Sequence, residues 1–488
     1  MKLKNIIPIL ILSGGALFSS CNDFLTTEPS VDLTSDQTLT NVSGLSLLLK
    51  GTYRKMKDGN TDLHASSPIG LKSYSTGVAS IDIASYPGAG NEIYGAYQFN
   101  ESSYMAIGRF PRDFYKNYYE IINNTNLIIA NAHNAGLKED EIKGQALILR
   151  ARCYYNLVRL YQHTYVLAKN KPGVPLYLEP SELTTIPKDR ATVEEVYTQI
   201  EKDLTVAIDL LDGFNRPDWT YYDADVANFL LADMYLTRNE WVKARDAARK
   251  ITAKYPLMIN EQYRNGFCIK NDEWILGYKQ TNDDNWYYNA IGCVWYWEDG
   301  TQWAAKMFYP TTHFADNVLT PADARYVFRK ITSQPDWYIC DKFNDRHLGG
   351  QPVLSAMCDL RAAEMYLVEA EACAHIPGEE GQALAILNQI QTLRNGTVTT
   401  TGDDLLEAIH LERRKELYGE GIDLWDVKRL QKGVKRVENR ANGGHYYTVD
   451  IPANSNKLIL QIPQYEMTNN PNIKEQNPDP AKEPVFVP

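Results

Sequence analysis

The stretch DVANFLLADMYLTRNEWVKARDAARKITAKYP, which runs from Asp225 to Pro256, decides the fold of this chain. Small and aromatic residues recur in it at the spacing of a tetratricopeptide repeat. That repeat is a helix pair of ~34 residues in which small side chains let two antiparallel helices approach closely. The matching positions are Leu231, Ala232, Tyr235, Ala244 and Pro256. The stretch therefore predicts two helices packed together as one unit of a repeat.

Helical periodicity extends over most of the rest of the chain. Residues 139–162 carry apolar side chains three or four positions apart, which is the stripe of an amphipathic helix. That stripe consists of Ala146, Leu149, Cys153, Leu157 and Leu160. Thr192 begins another predicted helix, and Glu195 three residues later completes a capping box. Further helices are predicted for Asn41 to Lys57, Phe114 to His133, and residues 359–375, 380–395 and 403–430.

Two long stretches, residues 58–112 and 263–355, show no helical periodicity, and loops are expected there. Loops of this length inside a compact body are usually functional. The sequence thus predicts a mainly α protein, in which a tetratricopeptide-like scaffold of helix pairs carries two long, irregular, loop-rich insertions.

The second insertion contains an aromatic window, DNWYYNAIGCVWYWEDGTQW, from Asp284 to Trp303. It holds four of the nine Trp residues of the chain, so the rings are concentrated here. One interpretation is a small hydrophobic core under the insertion, since Trp and Tyr are mostly buried. The other is a ligand platform, in which rings meet the C–H faces of a sugar and nearby Asn, Asp, Glu and Gln meet its hydroxyls. The candidate contacts are Trp286, Tyr288, Trp295, Trp297 and Trp303.

The first insertion offers Tyr86, Asn91, Tyr94 and Tyr97 as further candidate ligand contacts. Gly, Asn and Tyr also stabilise loops, so this stretch alone does not distinguish binding from loop structure.

The chain opens with MKLKNIIPILILSGGALFSSC, in which a basic start precedes a short apolar run. The run is shorter than the ~20 residues that span a bilayer, and it predicts a secretory signal peptide over residues 1–20. Cys21 follows two serines and resembles the cysteine of a lipobox. We expect Cys21 to carry the lipid, residues 21–40 to form the lipidated N-terminus and linker, and residues 41–488 to form a single body.

Composition and spacing exclude several classes of function. The formal net charge is −11 at pH 7 without a basic stripe, which argues against nucleic acid as a partner. Neither a C-x-x-C pair nor an H-E-x-x-H motif occurs, so no metal or other cofactor is expected. The adjacent Asp283 and Asp284 are poorly placed for glycosidase chemistry, which needs two carboxyl groups ~5–9 Å apart across a bond.

A charge run from Glu412 to Glu416 reads ERRKE within a predicted helix. Its simplest interpretation is salt-bridged packing between helices.

Several motifs occur in an order that resembles the SusD/RagB family of cell-surface nutrient-binding lipoproteins. They are CNDFLTTEPS, NNTNLIIANA, ALILRARCYYNLVRLYQ, RATVEEVYTQIEKDLTVAIDLL, DLRAAEMYLVEAEA, ERRKELYGEGIDLWDVKRL and IPQYEMTNNPNIKEQNP. Together they cover nearly the whole chain.

The resemblance implies a lipid-anchored protein on the outer face of the outer membrane, with four helix-pair repeats packed against a SusC-like TonB-dependent barrel. It implies an oligosaccharide ligand bound by the irregular insertions, delivery of that ligand to the barrel, and no catalysis. A peptide-binding member of the same family and, more remotely, a glycoside hydrolase are the alternatives. The density of Trp favours sugar over peptide.

Overall fold

The computed structural model describes residues 39, 41–59, 66–87, 92–132, 137–265, 267–295, 307–331, 334–344 and 352–482. The predicted signal peptide and Cys21 therefore lie outside the described residues.

Helices dominate the structure, which confirms the prediction of a mainly α fold. They are α1 Val42–Asp58, α2 Pro68–Ala79, α3 Glu92–Tyr97, α4 Arg109–Asn131, α5 Leu137–Tyr161, α6 Tyr165–Ala168, α7 Val193–Leu210, α8 Ala224–Thr237, α9 Trp241–Thr252, α10 Asn260–Arg264, α11 Ile291–Val294, α12 Ala362–His375, α13 Glu380–Leu393, α14 Leu405–Glu416, α15 Asp423–Arg429 and α16 Gln464–Asn469. The packed pairs are α4 with α5, α5 with α7, α8 with α9, α9 with α12, and α12 with α13.

The stretch that decides the fold forms two helices, α8 and α9, which pack against each other. Asp223 caps the start of α8, where its side chain accepts hydrogen bonds from the backbone N–H groups of Asp225 and Val226. Ala232 on α8 and Ala244 on α9 are both fully buried, as expected of small residues where helices meet. The helix pair is thus present, while its assignment to the tetratricopeptide class stays a prediction.

We expect Ala232→Leu to lower the free energy of unfolding by about 1–3 kcal/mol, because the larger side chain overpacks a fully buried position. Thermal and urea unfolding measure the change. The matched control is Ala253→Leu, at an exposed position just after α9, which should be near neutral. Equal stability of the two variants would show that Ala232 does not lie in a tight contact.

Two predicted helix starts are confirmed by their caps. Asn41 precedes α1, and its side chain accepts a hydrogen bond from the backbone N–H of Gly44. Thr192 and Glu195 form the expected reciprocal capping box at the start of α7.

The prediction that residues 58–112 are all loop is wrong, because this stretch contains α2, α3 and the start of α4. Ser67 caps α2, and Pro68 occupies its first turn, where a missing N–H is tolerated. Ten of the twelve α2 residues are buried. A helix buried on all sides has no polar face, so it leaves no periodic signal in the sequence.

Strands occur as four antiparallel pairs among the described residues. They are β1 Ile83–Ser85 with β3 Phe308–Pro310, β2 Trp274–Tyr278 with β6 Met357–Arg361, β4 Phe328–Ile331 with β5 Gln334–Cys340, and β7 Val434–Arg436 with β8 Val449–Ile451. The β1–β3 pair joins the first insertion to the second and thereby positions the candidate site.

A buried ionic cluster ties the second insertion to the helical scaffold. Arg361, at the end of β6, donates to Glu273, Glu416 and Glu420 at 2.7–2.9 Å. Burial acts to raise the pKa of Glu416, yet this pKa lies well below its usual range because three arginines surround the carboxylate. The members of the cluster are Arg325, Lys342, Arg361, Arg394, Glu273, Asp323, Glu412, Glu416 and Glu420. The packing interpretation of the ERRKE run is confirmed.

Three cysteines, Cys153 in α5, Cys358 in β6 and Cys373 in α12, are buried free thiols. Burial raises the pKa of all three thiols, that of Cys373 to about 12. Among the described helices we find none whose length and hydropathy would let it cross a lipid bilayer.

Candidate functional site

Two rings of the aromatic window belong to the core and not to an exposed platform. Trp286 is 0 % exposed, and its indole N–H donates to the backbone oxygen of Lys57 at 2.9 Å. Trp295 is 4 % exposed and packs against Phe308 and Phe343 with ring centroids 5.5 Å apart. The expectation that Trp286 and Trp295 stand partly in water is therefore corrected.

The reason lies in the local backbone. The described part of the window forms a 3-10 turn at Tyr287–Asn289 and the short helix α11. These turns direct Trp286 and Trp295 inward, where burial of large rings stabilises the insertion. The side chain of Tyr288, together with Asn91, Trp297 and Trp303, lies outside the described residues, so their predicted roles stay predictions.

The first insertion contributes Tyr86, which follows β1 directly. β1 pairs with β3 in the register Ala84 opposite Tyr309. The backbone N–H of Tyr86 extends this pairing with a 3.0 Å hydrogen bond to the oxygen of Met307. Tyr86 is thus held at the junction of the two insertions, and its side chain is half-buried.

An aromatic platform lies beneath and beside Tyr86. The Tyr86 ring meets Trp337 and Tyr446 edge to face, each with a centroid distance of 6.1 Å. Trp337, on β5, stacks on Tyr309 at 4.8 Å and meets Tyr446 at 5.4 Å. Trp337 is 7 % exposed and Tyr309 is fully buried, so these two rings support the surface from below.

Tyr97 is also a supporting residue, and its predicted direct contact with ligand is corrected because its side chain is 0 % exposed. Its hydroxyl lies 2.8 Å from Nδ1 of His445, and the guanidinium of Arg436 lies 4.4 Å from its ring centroid. Burial lowers the pKa of His445 to about 4, so this imidazole is neutral at pH 7. Its Nε2 lies 3.0 Å from the carbonyl of Ile81. A carbonyl can only accept, so Nε2 carries the proton and Nδ1 accepts from Tyr97.

Tyr94 lies over this support and stacks on Tyr97 at 5.9 Å. Burial is the largest cause that raises the pKa of Tyr94, and Tyr447 raises it further. Burial, Tyr86 and Tyr94 raise the pKa of Tyr446 to about 12. These effects link Tyr94 with Tyr447 and Tyr446 with Tyr86 and Tyr94, and the cation of Arg440 acts on both Tyr94 and Tyr446. We call Tyr86, Tyr94, Tyr446 and Tyr447 the tyrosine cluster; Tyr447 is 46 % exposed and the other three are partly exposed.

Gly443 holds the loop that carries Tyr446 and Tyr447. Its φ of 68° lies in the left-handed region, and an added Cβ would stand 2.1 Å from the backbone oxygen of Asp336. Only glycine allows this approach without strain. The backbone oxygen of Gly443 accepts a hydrogen bond from the backbone N–H of Thr312 at 3.1 Å. The backbone oxygen of Gly444 accepts one from the Tyr309 hydroxyl at 2.8 Å.

A groove of about 420 Å³ begins where the platform ends, at Gly444 and His445. Its walls carry hydroxyl, amide, carboxylate and ammonium groups, which can donate to and accept from a polyhydroxylated ligand. The polar side chains that line it are those of Asp82, Thr311, Thr312, His313, Arg414, Lys435, Arg436, Glu438, Asn439 and His445. Exposed rings on a rigid support beside such a groove are the arrangement that binds a sugar by its C–H faces and hydroxyls.

The ends of one undescribed segment meet at this place. The backbone N–H of Met307 donates to the oxygen of Val294 at 3.0 Å, and the oxygen of Met307 accepts from Tyr86. Met307, the first described residue after 296–306, therefore lies beside Tyr86. This segment contains the candidates Trp297 and Trp303.

Sequence reasoning missed Trp337, Tyr446 and Tyr447. The signal for the last two was the pair of tyrosines following Gly443, Gly444 and His445 in a stretch without helical periodicity. Trp337 gave no comparable signal, because one ring in a strand is ordinary core material.

Two family models match the chain. The model described as "SusD family" matches residues 257–479, and the model described as "Starch-binding associating with outer membrane" matches residues 46–221. The two matches include all four members of the tyrosine cluster.

Relatives and solved structures agree with the family models. A SusD-like protein from Formosa agariphila is 26% identical over 378 residues, which cover 65% of this chain and 72% of that protein. A structure described as a SusD-like carbohydrate binding protein from Bacteroides vulgatus is 26% identical with a TM-score of 0.78, covering 89% of this chain and 97% of that one. A structure described as a laminarin binding SusD-like protein is 20% identical with a TM-score of 0.68, covering 89% and 99%, and shows the shared fold.

Proposed function

This chain belongs to the SusD/RagB family, and from that premise we propose that it captures an oligosaccharide on the tyrosine cluster and the adjoining groove. The observation that carries the proposal is the support under the rings. Trp337, Tyr309 and Tyr97 support the rings of Tyr86, Tyr94 and Tyr446, so little conformational entropy is lost when a ligand binds these three. A preorganised ring surface beside hydrogen-bonding side chains suits a sugar chain of a few units.

The binding mode follows from the two kinds of surface. Tyr86, Tyr94, Tyr446 and Tyr447 present ring faces and edges to C–H patches, and their hydroxyls reach the sugar hydroxyls at the rim. The groove supplies additional donors and acceptors, such as Glu438 and Asn439. The rings therefore provide contact area, and the groove provides orientation.

We further propose that Asn91, Tyr288, Trp297 and Trp303 complete the site. The support for Trp297 and Trp303 is that Met307, the first described residue after them in the chain, lies next to Tyr86. A tryptophan brought over the tyrosine cluster from this side would enclose a sugar between two aromatic surfaces.

Delivery of the oligosaccharide to a SusC-like TonB-dependent barrel, and attachment to the cell surface through lipid on Cys21, are the remaining parts of the proposal. The family description that associates such proteins with the outer membrane supports the location. The short apolar run ending at Cys21 supports the anchor.

Binding without catalysis is proposed for the site. The two carboxylates that line the groove are paired with cations: Arg414 donates to Asp82 through two hydrogen bonds of 2.8 and 3.0 Å, and Arg440 pairs with Glu438 at 3.0 Å. A glycosidase requires one carboxyl group to protonate the leaving oxygen and a second to attack or activate water.

A glycan array probed with the purified full chain tests the proposal, and calorimetric titration with each positive glycan gives its affinity. We expect binding to at least one class of oligosaccharide, with laminarin oligosaccharides in the first panel. We also expect no increase in reducing ends during incubation. Binding to peptides and to no glycan would assign the peptide function, and new reducing ends would assign catalysis.

We expect Cys21→Ala to abolish lipid attachment, because acylation requires the thiol of this residue. Incorporation of labelled fatty acid measures the effect. The expected result is label in the wild type and none in the variant, which should leave the membrane fraction. Cys153→Ala, a buried position, is the matched control and should keep its label. If Cys21→Ala incorporated as much labelled fatty acid as the wild type, Cys21 would not be the site of lipid attachment.

A further inference from the structure

A second cavity, of about 190 Å³, lies between the first insertion and the C-terminal helices. The Asp82–Arg414 pair lines both this cavity and the groove of the candidate site, and it forms the wall between them. Residues from the end of α2 to β1 form one side, and residues from α14 to β7 form the other. Neither the tyrosine cluster nor its supporting rings line this cavity.

Apart from the ring nitrogens of the partly buried His410, two polar groups that line the cavity have no hydrogen-bond partner among the described residues. They are the hydroxyl of Tyr418 and Nη1 of Arg413, whose residues are 5 % and 2 % exposed. The other nitrogens of Arg413 are engaged, Nε with Asp426 at 2.8 Å and Nη2 with Glu364 at 2.7 Å. Buried polar atoms are nearly always hydrogen-bonded, because an unmade bond costs about 1–3 kcal/mol. Two such atoms in one cavity indicate a polar occupant.

The cavity wall offers acceptors as well as donors. Asp423 faces the same space, and burial raises the pKa of its carboxyl to about 7, so near neutral pH it exists in both charged and neutral forms. Asp82 lines the same cavity as Asp423 and Tyr418. A ligand that both donates and accepts therefore finds partners here, whereas a pure acceptor does not use the carboxyl oxygens.

The charges of the lining favour a neutral ligand over an anion. The lining carries three formal cations, on Arg413, Arg414 and Lys432. Three carboxyl groups balance them, on Asp82, Asp423 and Asp426. The rest of the wall is largely aliphatic, with Ile81, Leu417, Ile422, Val427 and Leu430. Apolar walls with a few convergent polar groups match a ring that has C–H faces and hydroxyl edges.

The volume of the cavity limits the size of the ligand. A cavity of about 150 Å³ accepts benzene, so this one accepts a single six-membered ring and not a chain of sugars. We propose that the cavity binds one neutral, polyhydroxylated six-membered ring, a monosaccharide or cyclitol, with the hydroxyl of Tyr418 and Nη1 of Arg413 as direct hydrogen-bond donors. This site is separate from the oligosaccharide surface proposed above and does not depend on it.

The test titrates the purified full chain with D-glucose, D-galactose, D-xylose and myo-inositol, and with benzoate as an anionic ring of similar size. We expect at least one polyol to bind and benzoate not to bind. Tyr418→Phe removes only the unpartnered hydroxyl, so the melting temperature without ligand should stay the same or rise. Affinity for the polyol should fall about tenfold, the value of one hydrogen bond.

Two further variants separate the cavity from the tyrosine cluster. Ala79→Leu adds volume at a position that lines the cavity and should abolish polyol binding. Tyr447→Ala lies in the tyrosine cluster and should leave polyol binding unchanged, whereas Tyr418→Phe should leave oligosaccharide binding unchanged. The proposal is overturned if none of the four polyols binds, if benzoate binds in their place, or if Tyr418→Phe and a folded Ala79→Leu bind the polyol as the wild type does.

Discussion

Arg361→Met is expected to lower the free energy of unfolding by about 3–5 kcal/mol, the usual cost of removing one partner from a buried ion network. Arg361 is 1 % exposed and donates to three glutamates and to the backbone oxygen of Glu416. Met has a similar volume, so the loss comes chiefly from carboxylates left buried without their cation. Thermal and urea unfolding of the purified variant measure it.

The matched control is Arg54→Met on α1. Arg54 is 68 % exposed in its side chain and pairs with Asp58 one helical turn away, so its loss should cost less than about 0.5 kcal/mol. If Arg361→Met were as stable as this control, the ionic cluster would be replaceable by apolar packing, and the insertion would be held by other contacts.

Tyr447→Ala is expected to weaken oligosaccharide binding about thirtyfold, which corresponds to about 2 kcal/mol, while leaving stability almost unchanged. The ring is 46 % exposed, so truncating it removes little core. If it lies at the centre of the contact, its loss removes a large part of the ring surface that meets the sugar. Calorimetric titration gives the affinity and thermal unfolding gives the stability.

Two comparisons make this result decisive. Tyr465→Ala removes a ring of similar exposure, 37 %, outside the tyrosine cluster, and should change the affinity little. Trp286→Ala removes a fully buried ring and should cost about 3–5 kcal/mol of stability, while the folded protein at low temperature still binds. Normal affinity in Tyr447→Ala would move the site away from this tyrosine.

The scaffold could be predicted from the sequence because the buried residues of an amphipathic helix recur with a period of ~3.6 residues. This held for α7 and α9, whereas α8, with twelve of its fourteen residues buried, was recognised by its tetratricopeptide spacing. Prediction from this period failed for α2, which is buried nearly all round and so has no polar face to alternate with its apolar one. The start of α1 could be located because Asn41 is a cap, a local signal that needs no knowledge of the tertiary structure.

The site was harder to predict because exposure is a tertiary property. Trp286 and Tyr86 look alike in sequence, an aromatic residue among polar ones. The structure buries the first on Lys57 and leaves the second at the junction of β1 and β3. The contribution of Tyr446 and Tyr447 depends on the left-handed turn at Gly443, which brings residues far along the chain onto the platform. No local pattern encodes that approach.

The three packed thiols described above can report how often different parts of the protein open. A thiol reacts with a labelling reagent only when it is reachable and deprotonated, and burial denies both to Cys153, Cys358 and Cys373. Each thiol can therefore be modified only when its own element opens. The modification rate thus measures how often that element opens. Because the three report from α5, β6 and α12, equal rates would mean that this body opens as one unit. Staggered rates would rank its parts by how often each loosens while the rest stays folded.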